Sequence, residues 1–426
     1  MSKINIAIAG VGNCSSALVQ GVQYYIENPE DKIGLMFEDI GGYSAENFNF
    51  VVGFDVDSRK VGQRLNKAIY AKPNCNMEVF PPGHDMSCIA NESKVFRSPT
   101  MDGIAPHMNE LNENVTFLED NKTTPITASE YRKILKDRKV DVLLNYMPVG
   151  AEEAAAWHIE NAIRAGVHVV NCMPTYISTK DAMELEQLAI DNGVTIVGSD
   201  MRSDYGASRL SEVLQGSIMA SLLLVTQHIQ ENKACGTTQG DMRRIGRTAN
   251  TDFLNMATKD RLKNKHISKE NVLNGQATVR GKDIAGLTMY AGPSLTVFQK
   301  PGGEYIGSDN KIANIDMVFW GWAGARYELT ARLSVQDSPN SAGIVYDAIR
   351  FCKVASEMGI VGYLRGPSAW SQKTPPEQLK TADAKFECDA LARRVLTDKT
   401  TPQLKDNNPK VEDLTYTFQS GENDYA

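Results

Sequence analysis

The chain has 426 residues, of which 42% are hydrophobic, 23% charged and 8% aromatic, enough to bury a large core and divide into two or three domains. A formal net charge of −7 argues against a general nucleic-acid surface, which needs a basic excess, and no apolar run approaches the roughly 20 residues of a membrane span. Seven cysteines, an odd number with no CxxC or Cys/His metal spacing, fit reduced thiols in a cytosol-like compartment.

The opening residues MSKINIAIAG read as a strand over 4–9, lacking the long apolar stretch and cleavage site of a signal peptide. That strand runs into Gly10-Val11-Gly12-Asn13-Cys14-Ser15 and then a helical stretch. Strand, glycine turn and helix make the phosphate cradle of a dinucleotide fold, because glycine lets backbone approach a pyrophosphate and the helix start offers free N–H groups. Ser15 stands where the usual third glycine would, and the same pattern also fits a plain turn. A second strand over 48–54 ends at Asp55, after an insertion over about 28–47. An acid there would grip the adenosine ribose and repel a 2′-phosphate, favouring NAD over NADP; a helix cap or surface turn is the alternative.

Residues 73–127 are turn-rich and read as an excursion on the nucleotide domain, and His84, Cys75 and Cys88 within it match no metal template. Strands over 140–144, 167–170 and 194–198 then alternate with helices over 152–165, closed by Gly166, and 180–191, closed by Asn192-Gly193. The alternation predicts an α/β doubly wound sheet, with ligands at the strand C-termini. The turn from Ser203 to Ser208 precedes a helix predicted over 209–230, and fits either a phosphate-holding turn or ordinary capping.

From Asn250 to Leu273 the chain places Asn250, Asp252 and Asn255 ahead of Lys265 and Lys269. This is either a solvated basic helix face or a setting that depresses a lysine pKa by burial and neighbouring cations. Apolar runs over 287–290, 295–298, 312–322 and 327–335 predict an α+β open-sheet domain. A helix over 344–357 and the segment 367–378 return to the first domain, and the tail beyond about residue 401 is polar. The expected division is 1–240, completed by 340–426, and 241–339.

The ordered fragments GVGNCSSALVQGVQYY, FDVD, NYMPVGAEEAA, GSDMRS, NTDFLNM with KHISK, SDNKIA, VQDSPNSAG and SAWSQKTPPEQL span Ile4 to about Leu379. Together they resemble the inositol-1-phosphate synthase (myo-inositol-3-phosphate synthase) family in its shorter prokaryotic and archaeal form. The resemblance implies a cytoplasmic isomerase that converts D-glucose 6-phosphate to 1L-myo-inositol 1-phosphate at the start of inositol and phosphoinositide biosynthesis. NAD would oxidise and later reduce the same molecule. Implied catalytic residues are Lys265, Lys269, Lys311, Lys373, Asp337 and Asp200, with Lys265 shuttling the C5 proton and Asp337 as its relay partner. Lys269 and Lys311 would stabilise carbonyl oxygens, and Lys373 the phosphate and enolate.

Implied cofactor contacts are Gly10, Gly12, Asn13, Cys14, Asp55, Asn145, Pro148, Val149, Asp200 and Asp252. A mono- or divalent cation at Asp252 would sit beside the NAD pyrophosphate. Substrate contacts would come from Ser203, Gly206, Ala207, Asn250, Asn255, Lys269 and Lys373, and the second domain would build a homotetramer. Ser199, Arg202 and Asp204 depart from the family pattern, and the Asp204 carboxylate would repel a phosphate unless it points away. A plain NAD-dependent dehydrogenase, which releases NADH, and a non-catalytic NAD-binding regulator are the rival readings.

Overall fold

The apolar run Ile4–Ala9 forms β1, an interior strand of a seven-stranded sheet whose strands are all parallel. The computed structural model describes residues 1–233, 247–248, 251–256, 258–276, 278–279, 282–283, 288–293, 305–306 and 309–396. On one side of β1 lie β2 (Phe48–Asp55) and β3 (Ile89–Arg97). On the other lie β4 (Val142–Asn145), β5 (His168–Asn171), β6 (Thr195–Val197) and a short strand Gly362–Tyr363. Chain order reverses at β1, which opens a crevice between the β1 and β4 ends, where α/β sheets bind ligands. Pairing brings Ala9 opposite Asn145 and Asn145 opposite Asn171, so these strand ends finish level.

Helices cover both faces. On one, α1 (Asn13–Glu27) packs Leu18, Val19 and Val22 with Phe48, Phe50 and the helix Pro339–Glu357. On the other, α3 (Ala128–Asp137), α4 (Glu152–Arg164) and α5 (Thr179–Asn192) contribute Tyr131, Ile159 and Leu185. The short helix α2 (Leu65–Ala68) follows β2. The predicted closures hold: Gly166 (φ 79°) and Gly193 (φ 67°) adopt left-handed backbone after α4 and α5. The insertion after α1 is tied down by Arg350, fully buried, which donates to the carbonyls of Phe37, Glu38 and Tyr43.

The second sheet has four strands, in the order Thr288–Pro293, β7 (Leu224–Lys233), Asn310–Trp320 and Arg326–Gln336. One face is covered by α6 (Ala207–Ala220), whose Ile218 packs with Val225, Ile315, Met317 and Phe319. A polar seam joins α6 to β7: Ser211 Oγ donates to Gln230 Oε1 at 2.9 Å, and His228 Nδ1 lies 3.0 Å from Gln215 Oε1.

Several expectations change. The helix predicted over 209–230 is two elements: α6 stops at Ala220, Leu222 turns left-handed (φ 59°), and the remainder becomes β7. Apolar residues crowd that junction and masked the break. The second sheet therefore begins at Leu224, ahead of the boundary expected at 240. The excursion 73–127 contributes β3, an edge strand whose Asn91, Glu92 and Lys94 are exposed, which hid its strand character. The helix expected over 344–357 begins earlier, at Pro339, and Thr381–Ala392 is a further helix that was not expected. The strand expected over 295–298 and the tail beyond 401 lie outside the described residues. No helix among the described residues is long and apolar enough to cross a membrane.

Candidate active site

The strand ends open into a cleft lined from Gly10 and Asp55 at one end to Lys265, Lys311 and Lys373 at the other. Its cofactor-like half is built from backbone. Gly10 (φ 89°) accepts no side chain, because a Cβ there would meet Tyr146 O at 2.4 Å. At Gly12 a Cβ would meet nothing within 4 Å; the glycine leaves open space at the N-terminus of α1, where N–H groups and the helix dipole favour a phosphate. Ser15, in the third-glycine position, donates to Gly10 O at 2.7 Å and locks the turn. Asp55 ends β2 with its carboxylate fixed by Val11, Val56 and Asp57 N–H groups at 2.9, 2.7 and 2.9 Å. Asn13, Cys14 and Pro148 line the same half.

The other half is built from charged side chains. The helix Lys259–Gln276 turns Lys265, Ser268, Lys269 and Val272 inward, the i, i+3, i+4, i+7 spacing of one face, while Ile267 is exposed. Lys265 Nζ lies 2.8 Å from Asp200 Oδ1 and Lys373 Nζ 3.1 Å from the same oxygen. Asp200, left-handed at φ 64°, is fully buried, and Ser268 Oγ donates to its Oδ2 at 2.5 Å. Lys311 Nζ lies 2.7 Å from Asp337 Oδ1. Lys311 pairs opposite Val335 across the antiparallel ladder, so Asp337 is its diagonal neighbour.

Proton affinities in this cluster diverge. Burial alone would raise the Asp200 and Asp337 carboxyls, but the lysines facing them outweigh it and hold both below the ordinary range. Burial opposes the charge on Lys265, yet Asp200 raises its pKa, so it remains an ammonium donor. Burial, reinforced by the other lysines, pushes Lys269 well below its usual value. Burial brings Lys373 down to about 7, with Asp200 opposing and Lys265 and Lys311 adding to the shift. The cluster therefore holds fixed cationic donors beside amines able to take a proton near neutral pH.

Lys269, Lys311 and Lys373 also border a side chamber with Ser203, Gly206 and Ala207. Gly206 caps α6 there, so an anion would meet helix N–H groups and lysines together. The turn is pinned by Asn340, whose side chain exchanges hydrogen bonds with the Tyr205 N–H and C=O at 3.0 Å each. Asp204 points away from this chamber, accepting N–H groups of Gly343 and Ile344; burial, then Asp347, raises it to about 8.

Not every expected residue reaches the cleft. Asp337 pairs with Lys311, and Lys265 with Asp200, so the expected Lys265–Asp337 pair is replaced because Lys265 enters from the helix facing Asp200. Asp200 lies beneath the lysines, its carboxylate taken up by Lys265, Lys373 and Ser268, and offers nothing to a cofactor. Asn145 is buried and bonded to Asn171, and Val149 contributes its N–H to Asp252 Oδ1 at 2.9 Å. Asn255 is not a substrate contact: its side chain bonds Ala105 N and Gly103 O. Asp252 lines the cleft, while Asn250 is outside the described residues. No group of three or more His, Cys, Asp or Glu able to hold a metal occurs among the described residues. Unforeseen residues include Lys60, buried with Nζ 3.7 Å from Asp55 Oδ2 and 3.0 Å from Asn74 Oδ1, and Ser268. The three-residue step from Lys265 to Ser268 was the available signal for the latter.

A family model described as myo-inositol-1-phosphate synthase matches residues 245–338. An inositol-3-phosphate synthase of Mycolicibacterium smegmatis is 35% identical over 395 residues, covering 91% of this chain and 98% of that protein. One from Corynebacterium glutamicum is 33% identical, covering 92% and 98%. In fold, the chain matches the crystal structure of a myo-inositol-1-phosphate synthase-related protein from Thermotoga maritima, with a TM-score of 0.68, 20% identity and coverage of 92% and 98%.

Proposed function

The chain belongs to the myo-inositol-1-phosphate synthase family, and on that premise we propose that it turns D-glucose 6-phosphate into 1L-myo-inositol 1-phosphate by a reaction with no net redox change. Inositol-3-phosphate synthases are isomerases, and the chain is an enzyme of that class. The reading is carried by one observation: Lys265, Lys269, Lys311 and Lys373 converge beside a glycine turn and an acid-ended strand suited to NAD.

When bound, NAD supplies the acceptor for the C5 hydrogen of the sugar and returns it at the end. Gly10, Gly12 and Asn13 would hold its pyrophosphate side, Asp55 its ribose, and Pro148 would border it. Asp252 is a half-buried acid at the cleft wall whose carboxyl burial raises, which an adjacent cation would reverse. A single carboxylate suits a cation shared with the cofactor's own oxygens, not a site of several carboxylates.

The chamber at the start of α6 takes the substrate phosphate, with Ser203, Gly206, Ala207, Lys269 and Lys373 around it. C5 oxidation requires loss of a hydroxyl proton, and enolisation requires a base at C6. Lys269 and Lys373, whose proton affinities are depressed, are suited to accept those protons; Lys265, held charged, is suited to donate to the developing oxyanions. This reverses the division of labour the resemblance implied for Lys265 and Lys269. Ring closure puts an alkoxide at the former aldehyde oxygen, which the ammonium donors stabilise. We further propose a homotetramer built through the second sheet, whose strand Arg326–Gln336 has no buried residue in this chain. The test is turnover of glucose 6-phosphate with NAD far below substrate: stoichiometric inositol phosphate without net NADH is expected, and NADH rising with substrate loss overturns the reading.

A further inference from the structure

Three side chains meet Asp200 from two sides, and a fourth, Thr374, reaches it through Ser268. Lys265 and Ser268 come from one face of the helix Lys259–Gln276, and Lys373 and Thr374 from the segment after Ser371. That segment is clamped to the Asp200 turn by backbone: Lys373 N donates to Asp200 O at 2.7 Å, and Thr374 N to Ser199 O at 3.0 Å. Thr374 Oγ1 donates to Ser268 Oγ at 2.9 Å, and Ser268 Oγ donates onward to Asp200 Oδ2 at 2.5 Å. The lysines take Oδ1, leaving the hydroxyl chain on Oδ2. Ser268 and Asp200 are fully buried, so no solvent competes for these bonds.

We infer that Ser268, fed by Thr374, is a positioning residue of the proposed reaction: it anchors one oxygen of Asp200 so that the other presents a single, fixed acceptor to Lys265 and Lys373. The inference rests on the function proposed above. A carboxylate held by one side only can rotate and chelate a lysine with both oxygens, which would sequester an amine the chemistry needs. With its second oxygen anchored, Asp200 is shared between two amines from separate segments. Removing the hydroxyl concentrates charge on the lysine side and strengthens the ammonium form of Lys373. Other charged or titratable groups acting on this centre are Lys269, Lys311, Asp252, Asp337 and Cys172, and none supplies a hydrogen bond to Oδ2 among the described residues.

The test is Ser268→Ala against the full chain, with two readouts. Steady-state kinetics on glucose 6-phosphate with saturating NAD should give a kcat about tenfold lower, with KM within about threefold, since a hydrogen bond to a charged group is worth roughly one decade or more. Competitive trace acetylation read by mass spectrometry should place the Lys373 titration about 0.5–1 unit higher than in the parent. Ser268→Thr, which keeps the hydroxyl, should restore both. Thr374→Val should move both in the same direction by less, and it decides the matter if Ser268→Ala fails to fold. An unmoved Lys373 titration in the folded variants, or a fall in KM and stability with no change in the titration, overturns the inference. A parent chain that does not turn over glucose 6-phosphate overturns the proposed function instead, and the acetylation readout still decides the role of Ser268.

Discussion

The two halves of the cleft use opposite materials. The glycine-turn half is made almost wholly of main chain: Gly10 shaped by its contact with Tyr146, Gly12 open to the cleft, and Asp55 held by three N–H groups. The lysine half is made of side chains from separate segments, namely the 259–276 helix, the ladder carrying Lys311 and Asp337, and the Asp200 and Lys373 turns. A site of main chain is as rigid as its secondary structure and keeps its charge near zero. A site of buried cations is costly in the empty protein and is offset only by its acids and an incoming anion. The first half therefore binds, and the second half both binds and does chemistry.

If that division holds, substitutions should separate cleanly. The largest effect is expected for Lys269→Met, where turnover should fall about a thousandfold through loss of a proton acceptor. The NAD dissociation constant, measured by fluorescence titration, should stay within about twofold. Next, Gly10→Ala should cost about 2–4 kcal/mol of stability in denaturant titration, because the added Cβ meets Tyr146 O at a left-handed position. Gly12→Ala should leave stability unchanged and weaken NAD about tenfold, since its Cβ enters open cleft space. If Gly12→Ala left NAD binding intact, the phosphate would not lie at α1.

The smallest effect concerns Asp204, just outside both halves. Its folded pKa is raised to about 8 from an ordinary value near 4, so the folded chain binds more protons than the unfolded one between those limits. Its contribution to stability therefore worsens as pH rises from about 4 to about 8. Asp204→Asn removes that slope. Thermal melts should show the variant gaining on the parent between pH 5 and pH 9 by about 1–2 kcal/mol, and a difference independent of pH would contradict the half-buried, chamber-averted placement.

The same contrast explains what the sequence made legible. The glycine turn, Asp55 and the strand–helix alternation are local patterns, each fixed by residues within a few positions, and the sheet reproduces them. Family motifs located the lysines, but not which acid faces which lysine. Lys265 and Asp200 are 65 residues apart, and their pairing depends on how the helix docks on the sheet. Asn255 was misread for the same reason: an amide in a motif-rich stretch turned out to hold the 103–105 backbone. The β7 strand was hidden because apolar residues run through the end of α6, leaving Leu222's backbone as the only break. Strand β3 was hidden by the polar residues an edge strand tolerates.

The central claim is that a cofactor half and a lysine half act on one sugar phosphate without net oxidation. The most direct measurement is turnover of C5-deuterated glucose 6-phosphate mixed with undeuterated substrate carrying carbon-13 throughout its skeleton, with NAD at a small fraction of either. The account predicts inositol phosphate that retains the deuterium, each label staying with the carbon skeleton it came from, and no growing NADH absorbance. Deuterium appearing in accumulated NADH, with a keto sugar phosphate released, would contradict it.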